Sequence, residues 1–210
     1  MLNLWWRFVG WGFRQLYTNC AWAYDAVAWA VSRGQWKQWG CAALPRLRGP
    51  RVLEIGSGPG HLLVTMASED YAVSAIDLSP QMVRMAQRRL RRHGVRASLV
   101  HGRAQALPWP DAYFDSVVMT FPAGFALQLS TLSEIRRALR PGGRLVVVDA
   151  ARLRGGLYGR LVDLAFQITH GSGGTAQSFG NFLETVGFTV TYEVQHWPAS
   201  SVEIIIGAKS

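Results

Sequence analysis

The sequence predicts an α/β fold: a seven-stranded, mostly parallel sheet with an antiparallel last strand, flanked by helices and preceded by an N-terminal helical cap. Three observations predict it. From Val52 onward, short apolar runs alternate with helix-length segments, the pattern of parallel strands joined by crossover helices. A glycine-rich turn, Gly56-Ser57-Gly58-Pro59-Gly60, lies between the first of these runs and the next helix. At the end of the chain, runs at 189–196 and 202–208 are separated only by a turn around Trp-Pro-Ala-Ser. That connection is too short for a crossover and implies an antiparallel pair.

The elements follow in order. Residues 1–18 can form an amphipathic helix: Leu2, Trp5, Trp6, Val9, Phe13, Leu16 and Tyr17 fall mostly on one side, while Asn3, Arg7, Arg14 and Gln15 fall elsewhere. Residues 21–32 and 35–44 read as two more helices, and Pro45 with Gly49-Pro50 punctuates the chain. Residues 1–45 are thus the helical arm, and 46–210 the sheet domain. The first strand, 52–55, feeds the glycine turn and a helix at 61–68. A second strand at 72–76 precedes Ser79-Pro80, a capping serine with proline in the first turn of the next helix. Strands are expected at 97–101 and 116–120, then a helix at 131–139 stopped by Pro141-Gly142-Gly143, and a fifth strand at 144–148. Helices near 157–169 and 175–186 precede the final two strands.

Composition narrows the function classes. The 210 residues suffice for one well-buried core, and an apolar share of 49% excludes intrinsic disorder. Two cysteines without a CxxC pattern or a histidine cluster argue against a disulfide framework or structural zinc, and no metal is expected. No apolar run reaches the roughly 18 residues that span a bilayer: the stretch 4–31 is broken by Arg7, Arg14 and Asp25. The start also lacks the layout of a secretory leader. The net charge is +9, from 22 basic and 13 acidic residues, and seven of the nine tryptophans lie in residues 1–39. Seven arginines and no acid occupy residues 84–103, a run that reads as a solvated helix face or as a surface for anionic lipid or nucleic acid.

The glycine turn carries the chemistry. Glycines let the backbone turn sharply and approach a ligand, and the helix that follows offers free N–H groups. Glu54 stands at the end of the strand before the turn, and Asp77 ends the next strand, 23 residues on. An acid in that second position can accept both hydroxyls of a ribose. The dinucleotide fingerprint GxGxxG fails, because position 61 is His. An acid inside the first strand would repel a pyrophosphate but suits a ligand bearing an ammonium group. Ribose, ammonium and carboxylate together describe S-adenosylmethionine.

With these residues in place, the chain resembles the class I S-adenosylmethionine-dependent methyltransferases, of Rossmann-like fold. It resembles especially the small-molecule branch that includes the ubiquinone/menaquinone C-methyltransferases and bacterial phosphatidylethanolamine N-methyltransferases. The resemblance rests on VLEIGSGPGHL, AIDLSPQMVRMA, GRAQALPWPDAYFDSVV and LRPGGRLVVVD in order, with Tyr24-Asp25 followed by Ser32, Gly34 and Trp36. It implies that Glu54 and the backbone of Gly56, Ser57, Gly58 and Gly60 hold the methionine end, with His61 capping or lining that loop. It further implies that Asp77 holds the ribose, that Leu78 and Met82 flank the adenine, and that Ala104 and Gln105 approach its other edge. Thr120 and Phe121 would face the methyl group and the acceptor. One departure stands out: Arg103 replaces the family's usual acid next to Ala104, and arginine has no acceptor for the adenine amino group.

A protonated nucleophile also needs a base. Tyr24 and His170 are the catalytic candidates, with Tyr158, Asp25 and His196 behind them; Tyr24 also reads as a lid over the cofactor. The segment Thr120-Phe121-Pro122-Ala123 lacks the box of amino-methylating nucleic-acid enzymes, which sets nucleic acid aside as the substrate. The expected acceptor is a small, lipophilic molecule, either a phospholipid amine or a quinone-type ring. The rival classes are an NAD(P)-dependent oxidoreductase and a non-catalytic S-adenosylmethionine-binding module. The aromatic, basic arm 1–18 reads either as an anchor on an anionic membrane, at the cytoplasmic face of the inner membrane, or as a cap packed on the sheet or on a second subunit of a homodimer.

Overall fold

A computed structural model of the chain describes residues 24–122, 124–154 and 176–210. The predicted helix at 157–169, and the residues before Tyr24, lie outside the described residues. Helices α1 (Tyr24–Ser32) and α2 (Trp36–Cys41) lead through a 3-10 turn, Leu44–Arg46, into β1 (Arg51–Ile55). There follow α3 (His61–Ser68), β2 (Ala72–Asp77), α4 (Pro80–Arg92), β3 (Ser98–His101) and β4 (Phe114–Thr120). A 3-10 turn at Gly124–Leu127, α5 (Leu129–Ala138), β5 (Leu139–Leu153), α6 (Ala176–Thr185), β6 (Phe188–Trp197) and β7 (Ser200–Lys209) complete the described chain.

The strands form one seven-stranded sheet in the order β3-β2-β1-β4-β5-β7-β6. Strands β1 to β5 pair in parallel, while β7 runs antiparallel to both β5 and β6. The chain winds outward from β1 to β3, then returns to place β4 on the other side of β1. The carboxyl ends of β1 and β4 therefore flank the point where winding reverses, where open α/β sheets bind their ligands.

The apolar strands are buried on both faces, as parallel strands between helices must be. Val52, Val118, Val146 and Ile204 face a core completed by Trp39, Leu62, Leu63, Met66, Ala86 and Leu90. Leu53, Val117, Leu145 and Ile205 face the other, completed by Leu132, Ile135, Phe179 and Leu183. The period of two along β1 puts Glu54 on the same side as Val52. Its position there is the first sign of a site.

Two boundaries stand out as different from the sequence expectation. The helix expected at 35–44 ends at Cys41 and resumes as the Leu44–Arg46 3-10 turn, with Pro45 in its first turn. Proline lacks the N–H that would continue α2. The fifth strand begins at Leu139 instead of 144, because Leu139 already pairs with Phe114. Pro141-Gly142-Gly143 is absorbed as a register shift, with Gly142 at φ 73°. The antiparallel pair at the end of the chain is found as expected, with Trp197 opposite Ser200.

Candidate functional site

The glycine turn crosses from β1 to α3 with Gly56, Gly58 and Gly60 all at positive φ (73°, 52° and 83°). Gly60 is required by packing as well: a Cβ there would lie 2.8 Å from the Ala86 Cβ. Gly58 is the opposite case, since a Cβ there would meet nothing within 4 Å. The backbone at Gly58 therefore faces open space, as a turn that admits a ligand must.

Asp77 is built into this turn. Gly58 N–H donates to Asp77 Oδ2 (2.8 Å), and Ser79 N–H donates to Asp77 Oδ1 (2.8 Å). Burial pushes the Asp77 carboxyl up, against the downward pull of those two donors. An ionised carboxylate offers about four acceptor directions, so two remain for a pair of hydroxyls. The cap expected at Ser79 is present: its hydroxyl accepts from Met82 N–H (3.3 Å), which aims the start of α4 at the turn.

Glu54 is 2% exposed, and its Oε2 has no partner among the described residues. Burial, with the nearby Asp77 charge added, pushes its carboxyl well above the usual range. The Ser57 hydroxyl, within the turn, is likewise buried without a partner. Orphaned buried polar atoms are rare and costly. Here an acceptor at the end of β1 and a hydroxyl in the turn that follows are both left for a ligand carrying donors.

Rings line the other flank. At the end of β4, Phe121 takes φ 49°, a strained backbone for a non-glycine residue. Its ring lies 4.6 Å from Trp36 and 6.2 Å from Trp39, and Trp36 meets Tyr24 edge-on at 6.3 Å. Trp39 is fully buried and its Nε1–H donates to Ser200 Oγ (3.0 Å). Thus Trp36 and Trp39 of the early tryptophans pack on the sheet, while Trp29 is 68% exposed.

Residues 52–143 match the sequence family described as a methyltransferase domain. The demethylmenaquinone methyltransferase of Deinococcus radiodurans is 30% identical over 164 residues, covering 75% of this chain and 68% of that protein. The chain belongs to the class I S-adenosylmethionine-dependent methyltransferases. Within that family it falls in the quinone methyltransferase branch. The demethylmenaquinone methyltransferase of Tropheryma whipplei is 34% identical over 146 residues, 67% of this chain and 60% of that relative, so the chain spans about three fifths of its length. A SAM-dependent methyltransferase of Methanosarcina mazei shares the fold, with a TM-score of 0.61 at 20% identity over 79% of this chain and 96% of that one.

The donors and acceptors present fit the family's cofactor. The unpartnered Glu54 carboxylate suits an ammonium, the oriented Asp77 suits ribose hydroxyls, and the open Gly58 backbone leaves room between them. Leu78 is 65% exposed after β2, free to cover a flat ring, whereas Met82, in the first turn of α4, is fully buried. Ala104 is buried, and Gln105 Nε2 donates to Gln128 Oε1 (2.7 Å), which commits its amide to a neighbour. Thr120 and Phe121 stand at the end of β4. His196 lies on the edge strand β6. His170 and Tyr158 lie outside the described residues.

Asp25 has a role that sequence spacing did not reveal. Its Oδ1 meets His61 Nε2 at 2.8 Å and its Oδ2 pairs with Arg89, which also donates to the Pro59 carbonyl (2.7 Å). The hydrogen bond with His61, together with Arg89, holds the Asp25 carboxyl down at about 2. So low a value makes it a poor proton acceptor near neutrality. The arginine run, which in the sequence reads as a solvated helix face or an anion-binding surface, sends one member to the glycine turn.

Proposed function

We propose that the protein transfers the methyl group of S-adenosylmethionine to a lipophilic quinone-type ring. The observation that carries this reading is the buried, unpartnered Glu54 carboxylate beside a turn whose Gly58 N–H holds Asp77 in place. The similarity to demethylmenaquinone methyltransferases supports the acceptor class. The bound cofactor would supply a sulfonium methyl, displaced in line as its electron pair returns to sulfur. The chain's own work is to position and to exclude water. Glu54 and the Gly56–Gly60 backbone would grip the amino-acid end, Asp77 the ribose, and Leu78 one face of the adenine. The ring group Tyr24, Trp36 and Phe121 offers an apolar flank for a flat acceptor, with Tyr24 as the lid. His170 is proposed as the residue that takes up the acceptor proton. The test is transfer of labelled methyl to demethylmenaquinol and to phosphatidylethanolamine. Labelling of the quinol alone is expected; labelling of the lipid amine alone overturns the acceptor.

We also propose docking at an anionic membrane surface through residues 1–18, at the cytoplasmic face. Arg84, Arg88, Arg91 and Arg92 support this reading: they are exposed on α4, and none has an ion pair among the described residues. No helix among those residues is long and apolar enough to cross a membrane. Binding to anionic but not zwitterionic vesicles, lost on deleting residues 1–18, is expected. A deletion that instead dissociates a homodimer, with vesicle binding unchanged, overturns it.

A further inference from the structure

The three-residue constellation of Asp25, His61 and Arg89 does more than pair charges. Asp25 belongs to the first turn of α1, His61 to the first turn of α3, and Arg89 to the last turn of α4. Arg89 is the single arginine of α4 with an ion pair among the described residues. Its guanidinium forks between Asp25 and the Pro59 carbonyl. In a trans peptide the carbonyl and the following N–H point in opposite directions. Tying the Pro59 carbonyl to Arg89 therefore sets the Pro59–Gly60 peptide plane, and Gly60 N–H turns inward to donate to the Ser57 carbonyl (3.0 Å). Asp25 Oδ1 meets His61, the first residue of α3 after the turn (2.8 Å). The residue before Asp25, Tyr24, begins the ring series through Trp36 to Phe121. Helix α1 is thus fastened twice: by charge at the turn after β1, and by rings at the end of β4. These are the two strand ends that flank the crevice.

We propose that Asp25, His61 and Arg89 form a clasp that locks α1 onto the glycine turn, and that Asp25 is thereby a positioning residue for cofactor retention. This rests on the cofactor reading above. A closed clasp holds the turn in its ligand-ready shape and places α1 across the exit. An open clasp frees the turn's peptide planes and lets the cofactor leave.

The test uses the full chain. S-adenosylhomocysteine affinity is measured by calorimetry and its release by stopped-flow for the wild type, Asp25→Asn, Arg89→Gln and the double variant. Each single change should raise Kd about tenfold, almost wholly through faster release. The double variant should match the singles within about twofold, because either change opens the same clasp. At saturating acceptor, the KM for S-adenosylmethionine should rise while kcat holds. Arg89→Lys keeps the charge but loses the fork; it should fall between wild type and Arg89→Gln, and it serves where Asp25→Asn does not fold. No binding by the wild type defeats the cofactor reading itself. Wild-type binding with unchanged Kd in the variants defeats the clasp, as does a lower melting temperature at unchanged Kd. A fall in kcat at constant KM also defeats it, making Asp25 catalytic.

Discussion

Replacing Glu54 with Gln keeps the shape of the side chain and removes its charge, which separates two effects that the wild type combines. Glu54 is 2% exposed with one oxygen unpartnered, and burial raises its pKa well above the ordinary 4.5. The folded protein therefore holds that proton more tightly than the unfolded chain does. The resulting cost to stability is absent below about pH 4.5 and grows as pH rises toward the folded value. Glu54→Gln should melt near the wild type at pH 4 and above it at pH 8. Binding should move the other way. A hydrogen bond to an ionised group contributes about 1.5–3 kcal/mol, so losing the carboxylate under an ammonium should weaken S-adenosylhomocysteine about 10- to 100-fold. Wild-type binding should release a proton as the ammonium draws Glu54 into its charged form, and Glu54→Gln should release none. Calorimetry in two buffers of different ionisation enthalpy reads both quantities, and scanning fluorimetry across pH reads the stability. A Kd within threefold of wild type, with equal proton release, would refute the ammonium role of Glu54.

Three further outcomes follow from the site geometry. Asp77→Ala should lose S-adenosylhomocysteine binding by at least about 100-fold, because it removes the ribose acceptor and the anchor of Gly58 N–H together; titration calorimetry measures it. Gly60→Ala should destabilise by about 1–3 kcal/mol, since its Cβ would press on Ala86 at φ 83°, whereas Gly58→Ala, strained at φ 52° but meeting no neighbour, should destabilise less and lose cofactor affinity as well; denaturant melts alongside binding separate the two. Asp25, lowered from 3.8 to about 2, stabilises the fold above about pH 4, and that contribution disappears as pH falls toward 2. The shift alone would correspond to about 2.5 kcal/mol, but 39% side-chain exposure screens it to about 1 kcal/mol or less. Asp25→Asn should flatten the acid limb of the stability profile by that amount.

Local chemistry was legible in the chain. The Gly56–Gly60 turn, the acids at two strand ends and the Ser79-Pro80 start of α4 each depend on neighbours a few residues away, and each is found where the pattern put it. The alternating strands and helices likewise predicted a doubly wound sheet, because burial on both faces leaves a continuous apolar signature. The register shift at Pro141-Gly142-Gly143 was hidden, since a proline-glycine run looks the same whether it ends a strand or bends one.

The ligand chemistry was carried by the amino-acid sequence itself: an acid before a glycine turn, a second acid one strand later, and arginines massed in one helix. Which arginine matters was decided by the tertiary structure. Arg89 differs from Arg88 by one residue, yet one helical step of 100° turns it from solvent toward Asp25 and Pro59. Likewise Asp25 meets a histidine 36 residues away and an arginine 64 residues away. No periodicity links such positions. Only the packing of α1, α3 and α4 around one turn brings them within hydrogen-bond reach.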